Sequence, residues 1–208
     1  MKTISSFVIA VALLFGVMFG TSSIAKANDV DTVKDGVLAM DKTTTVGKAV
    51  GGYDFFTNVK WQSGEDKQGR KFVFFDAEFN DKAMEILNHR LHMISYEKNG
   101  VRRDFRIGDM IFVNFSENSQ EDMKSYKCFT NIFSNLKFSN VKYHQEFVIT
   151  NEGFKDGFAQ ITFLDKDDKT IGTIKKSMLS DIYKNDIDLN GMLKSVLFGI
   201  QLACDNAK

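Results

Sequence analysis

The sequence predicts an α+β fold, an antiparallel sheet covered by helices on one face. Three observations carry that prediction. Apolar and polar residues alternate in several short stretches, most strongly over 71–79; apolar residues recur every three or four positions elsewhere, as in Met84, Leu87, Leu91 and Ile94; and polar, glycine-bearing turns sit between alternating stretches at hairpin spacing. Strands joined by short turns pair antiparallel, and such a sheet needs helices on one face to complete a core.

The chain opens with Lys2, an apolar run from Phe7 to Phe19, and small residues at Ala25 and Ala27. A basic start, a short apolar run and an A-x-A site make a secretory signal peptide, so residues 1–27 are expected to be removed and 28–208 to form a single α+β domain. The run is shorter than the roughly 20 residues a membrane span needs, and no Cys follows it to accept a lipid. The expected location is therefore the periplasm or the medium, with no stable membrane insertion once the leader is cleaved.

Next, KDGVLAM reads as a short strand closed by a polar turn at Asp41-Lys42, and Thr44 or Thr45 caps a helix through Val46, Ala49, Val50 and Tyr53. Gly47 and Gly51, four apart, let another backbone approach that helix. A P-loop is excluded by spacing, because Lys48 does not follow the second glycine of a G-x-x-x-x-G-K-[ST] pattern.

Asn58–Gln62 and Lys71–Phe79 are predicted strands joined by a turn over Gly64–Arg70. Beyond them the expected order is a helix through Met84 to Ile94, a turn at Asn99-Gly100, a strand at Ile111–Phe115 and a helix over Glu121–Asn135. Strands follow at Tyr143–Thr150, Phe158–Leu164 and Ile171–Ile174, with Asp165–Lys169 as a hairpin turn. Helices at Met178–Tyr183 and Met192–Cys204 close the chain; the last is apolar on almost every side and should be buried. A half-domain duplication is suggested by Phe56-Thr57-Asn58 with Phe72-Val73-Phe74, echoed by Phe129-Thr130-Asn131 with Phe147-Val148-Ile149.

Phenylalanine is abundant at 20 residues and proline is absent, which leaves no compositional hinge. Without Lys2 and Lys26 the 27 basic residues fall to 25, against 27 acidic ones. Such a balance gives no broad attraction to nucleic acid or anionic membrane. Cys128 and Cys204 are the only cysteines; export permits a disulfide between them, while their apolar neighbours suit buried thiols equally well.

Candidate chemistry is sparse. Glu85, His89 and His92 share a helical face but lack a fourth ligand, so an exposed polar face accounts for them. Lone His144, in a strand, reads as solvent-facing. Asp186-Ile187-Asp188-Leu189-Asn190-Gly191 reproduces the first half of a calcium loop, with Asp186, Asp188 and Asn190 as ligands, yet Leu197 stands where a bidentate Glu should close the shell. The competing reading makes Asp188 or Asn190 the cap of the final helix. No G-x-S-x-G elbow is present, and no pair of acids is singled out for glycoside chemistry.

The run DGVLAMDKTTTVGKAVGGYDFFTNVKW, with QGRKFVFF and later QEFVITNEGF, resembles exported bacterial proteins of unknown function. Those carry a strand, a DK-x-T-x-G-x-A helix ending in an aromatic, a Trp strand and a G-R-x-V strand. The likeness covers the first third and one later strand, departs over Asp81–Asn140, and implies compartment and fold without a mechanism. The expected function is a non-catalytic binding or assembly role in the cell envelope, toward an envelope protein or a small ligand and without a cofactor. Two alternatives stand beside it: a secreted hydrolase, and a weak calcium-binding accessory protein.

Overall fold

The computed structural model describes residues 27–92, 94–98, 101–105, 124, 127–129, 131–133 and 136–206. In chain order they form α1 (Ala27–Asp35), β1 (Val37–Leu38), β2 (Asp41–Thr45), α2 (Val46–Gly51), β3 (Phe56–Glu65), β4 (Lys71–Phe79) and α3 (Asp81–His92). There follow β5 (Ile94–Lys98), β6 (Val101–Phe105), β7 (Asn140–Thr150), β8 (Gly153–Leu164), β9 (Thr170–Ile174), α4 (Leu179–Lys184) and α5 (Leu189–Asn206). Helical residues at 124, 127–129 and 131–133 precede β7. The fold is α+β: one five-stranded sheet in the order β3-β4-β7-β8-β9, every neighbour antiparallel, with two separate two-stranded hairpins, β1-β2 and β5-β6.

Period-two alternation decides which face is covered. Val73, Phe75, Ala77 and Phe79 of β4, Val141, Tyr143 and Phe147 of β7, and Ala159, Ile161 and Phe163 of β8 are all buried. They share one core cluster with Val50 of α2, Leu87 and Leu91 of α3, Ile182 of α4, and Met192, Leu193 and Leu197 of α5. Each such large side chain contributes about 1.5 to 3 kcal/mol by leaving water. Gln145 occupies a core position in the same alternation and is fully buried. Its Oε1 accepts from the Tyr143 hydroxyl (2.6 Å) and the Ser177 hydroxyl (3.0 Å), its Nε2 donates to the Glu146 carbonyl (2.9 Å), and the Met178 N–H donates to the Tyr143 oxygen (2.9 Å). Fully paired, this network fastens β7 to the segment that enters α4.

Two hairpin turns are built alike. Asp66 and Asp165 each accept, on one carboxylate oxygen, the N–H groups two and four residues on. Gly69 (φ 77°) and Asp168 (φ 57°) take the left-handed position that this turn requires. The Asp165–Lys169 segment is thus the hairpin turn its sequence suggests. The β3–β4 turn is shorter than expected, because Gly64 stays in β3 and leaves room for the Phe72 ring to lie over it.

Several expectations are corrected. Helix α1 leaves no periodic signal in the sequence, since its apolar residues are too few to stand out; buried Val33 and half-buried Val30 anchor it. The first turn falls at Ala39-Met40, and Asp41 opens β2, its carboxylate accepting the Thr43 N–H at 2.7 Å. Thr45 does cap α2 through the Lys48 N–H. Gly47 is where α1 comes close, a Cβ there standing 2.9 Å from the Lys34 carbonyl oxygen, but Gly51 faces open space. Ile94 keeps helical spacing yet belongs to β5, because α3 ends at His92. The final helix is buried on one side only: Phe198 and Leu202 are exposed.

The duplication is not supported by placement. Phe56–Asn58 are strand whereas Phe129 and Asn131 are helical, and Phe72 points away from the core whereas Phe147 points into it. Residues 1–26 of the expected leader, and the turn expected at Asn99-Gly100 and strand expected at Ile111–Phe115, lie outside the described residues.

Candidate functional site

The helices cover one face of the large sheet, and the residues between the core positions of β4, β7 and β8 emerge on the other. On β4 these are Phe72, Phe74, Asp76 and Glu78; on β7, Lys142, His144, Glu146 and Val148. Register sets them side by side: Lys60, Asp76, His144 and Gln160 form one row across β3, β4, β7 and β8, and Phe74 lies opposite Glu146 in the next. A bulge in β8 places Gly157 and Phe158 against Glu146. Gly157 suits that place because a Cβ there would stand 3.2 Å from the Glu146 carbonyl oxygen.

His144 is the centre of this face. Its Nδ1 lies 2.8 Å from Asp76 Oδ1 and its Nε2 3.2 Å from Glu146 Oε1. Burial alone would favour the neutral ring, but the two carboxylates outweigh it and raise the His144 pKa from 6.5 to about 9. The ring is therefore an imidazolium at neutral pH, donating from both nitrogens, with neither left to accept a proton from a nucleophile. Phe74 stands 5.2 Å from it and Phe158 6.2 Å, and Phe72 stacks on Phe74 at 6.0 Å, ring centre to ring centre. A strip of rings thus crosses three strands, edged by Gln62, Asp76, Glu146 and Gln160. The solvent-facing single histidine of the sequence reading is instead partly buried and doubly paired; the signal for this was Asp76 and Glu146 at outward positions of neighbouring strands, legible only once the register is known.

The other candidate residues are placed differently. In the DIDLNG loop, Asp188 Oδ1 accepts the Gly191 N–H at 3.0 Å, the bond that caps α5, and Asp188 Oδ2 meets Lys176 Nζ at 2.8 Å. Lys176, then the Gly191 N–H, holds the Asp188 carboxyl below its ordinary range. Asp186 accepts the Ile187 N–H at 2.7 Å, and Asn190 is exposed in the first turn of α5. A Cβ on Gly191 would collide with the Asp188 carboxylate, so this glycine serves the cap. A cation entering the loop would have to displace Lys176. Glu85 and His89 are exposed on α3, and the side chain of His92 lies outside the described residues. Among the described residues no three His, Cys, Asp or Glu groups converge as metal ligands.

Cys128 and Cys204 are bonded to each other, with Cα atoms 5.7 Å apart across 76 residues of sequence. The bridge ties the helical segment before β7 to the last turn of α5. Among the described residues no helix is long and apolar enough to cross a membrane. Comparison with protein-family models, with curated proteins and with solved structures finds no match for this chain.

Proposed function

We propose that the protein is an exported, non-catalytic binding module of the cell envelope, periplasmic or secreted, which holds its ligand or partner against the face of its large sheet opposite the described helices. The observation that carries this reading is the strip Phe72, Phe74, His144 and Phe158, which none of the helices among the described residues covers and which polar side chains edge. Rings fixed on a rigid sheet, flanked by placed hydrogen-bonding groups, are the makings of a binding surface. Engagement of both His144 nitrogens supports binding over hydrolysis, and the Cys128–Cys204 bridge fits an oxidising compartment.

The test is photocrosslinking in a bacterial host expressing the full chain. A photoreactive phenylalanine at position 158, on the open face, should give adducts with envelope material, and one at exposed position 184 on α4 should not. Equal adducts at both positions, or none at 158, would overturn the reading. Fractionation of the same cells checks export: retention of the uncleaved chain in the cytoplasm contradicts it.

A further inference from the structure

From the chemistry of the open face we infer that its ligand is an uncharged glycan strand, laid along the Phe72–Phe74–His144–Phe158 strip. The inference rests on the binding reading above and narrows it.

Charge limits the choice first. Asp76, Glu78 and Glu146 interleave on this face with Lys60, Lys142, His144 and Lys155, so neither sign dominates and neither a polyanion nor a polycation finds a complement. Hydrogen-bonding capacity limits it next. Strands β4 and β7, which carry Phe72, Phe74 and His144, are paired on both sides, so along most of the strip backbone groups are consumed in the sheet and side chains must hold a ligand; β8 is paired with β9 only over Ile161–Leu164. A peptide captured in extended form draws its affinity from free backbone groups along a sheet edge, whereas the ring strip runs across β4, β7 and β8 instead of along an edge. A sugar needs none of them: its C–H face lies on an aromatic ring while its hydroxyls reach side-chain amides and carboxylates.

Those groups are in place. His144 engages Asp76 Oδ1 and Glu146 Oε1 and leaves Asp76 Oδ2 and Glu146 Oε2 as acceptors, with no partner among the described residues. Exposed Gln62 lies directly across from Phe74 in the register, and Gln160 directly across from His144. Neighbouring rings are 5.2 to 6.2 Å apart, so successive sugars of an extended strand can meet successive rings. The imidazolium, locked by two carboxylates, serves as a flat polar tile within the strip.

Calorimetric titration of the purified, disulfide-intact chain with cellohexaose and with the N-acetylglucosamine hexamer tests this. At least one should bind saturably, with a dissociation constant of about 0.1 to 1 mM for so open a surface. Phe74→Ala and Phe158→Ala should each weaken binding about three- to tenfold, as loss of one stacking contact does, and together abolish it. Phe198→Ala, at a more exposed ring on α5, should leave it unchanged. Absence of saturable binding by either oligosaccharide, or binding indifferent to Phe74 and Phe158, overturns the glycan assignment. If position 158 then crosslinks to a protein, the binding reading survives with a protein partner; if it crosslinks to nothing, both fall.

Discussion

The two faces of the five-stranded sheet are made from alternate residues of the same strands, and they differ in what aromatic side chains do there. On the covered face Phe75 is fully buried and touches the rings of Phe56, Trp61, Tyr143 and Phe147. One residue away Phe74 reaches the opposite face and, among the described residues, meets the rings of Phe72 and His144. Residue type is identical and the backbone continuous; only the parity of position differs. Phenylalanine on the first face is core, and on the second it is surface chemistry.

The sharpest way to break that contrast is to truncate both. Phe75→Ala should destabilise the protein by about 4 kcal/mol, the range for a large cavity in a packed core. Phe74→Ala should cost less than about 1 kcal/mol, since its ring is only partly withdrawn from water. Urea unfolding of the two variants reads the difference directly. Equal losses would mean the second face is covered as well, and the binding reading would lose its surface.

Much of the covered face was legible beforehand, because burial writes itself into periodicity. β4 runs from Lys71 to Phe79 as its alternation indicates, and Leu87 and Leu91 fall on the buried side of α3. What periodicity could not convey was registration between distant segments. The Asp76–His144–Glu146 group needs β4 beside β7, and nothing local to 76 or 144 says that residues 68 apart in sequence are neighbours. Ile94 shows the opposite failure: helical spacing continued past the point where the helix ends. The Gly of DIDLNG matched a metal loop because a helix cap and a calcium loop both demand oxygen-bearing side chains before a residue without a Cβ.

Next in size is the bridge that fastens the covered side. Cys204→Ser or Cys128→Ser should remove about 3 kcal/mol, because the closed loop is long and its closure restrains the unfolded chain. Thermal unfolding with and without reductant checks this: the parent midpoint should fall on reduction and that of either variant should stay put. A parent insensitive to reductant would mean the last turn of α5 is held by packing alone.

A smaller loss is expected at the cap. Asp188→Ala removes the acceptor for the Gly191 N–H and frees Lys176, which should lower stability by about 1 kcal/mol. Calcium at millimolar concentration should leave the thermal midpoint of the parent where it is in chelator. A rise of several degrees that disappears in Asp186→Ala would instead make the loop a cation site, with Lys176 displaced.

The smallest effect belongs to the open face, and its sign is fixed by the His144 pair. The folded-state pKa of His144, about 9, lies above the ordinary 6.5. The folded protein therefore binds that proton more tightly than the unfolded chain does, and the resulting stability is complete below pH 6.5 and is lost as pH rises through 9. Asp76 and Glu146 face the ring, and Lys60 stands across from Asp76, so solvent and a neighbouring cation both weaken the pair. With the Asp76 side chain 48% exposed, the contribution after screening is at most about 0.5 kcal/mol. Urea midpoints measured from pH 6 to 10 should decline across that window in the parent and be flatter in His144→Gln, which keeps the ring position polar but cannot titrate. A parallel decline in both would assign the titration elsewhere and leave His144 on the open face as a neutral hydrogen-bonding group, with its two carboxylates as acceptors for the ligand's hydroxyls.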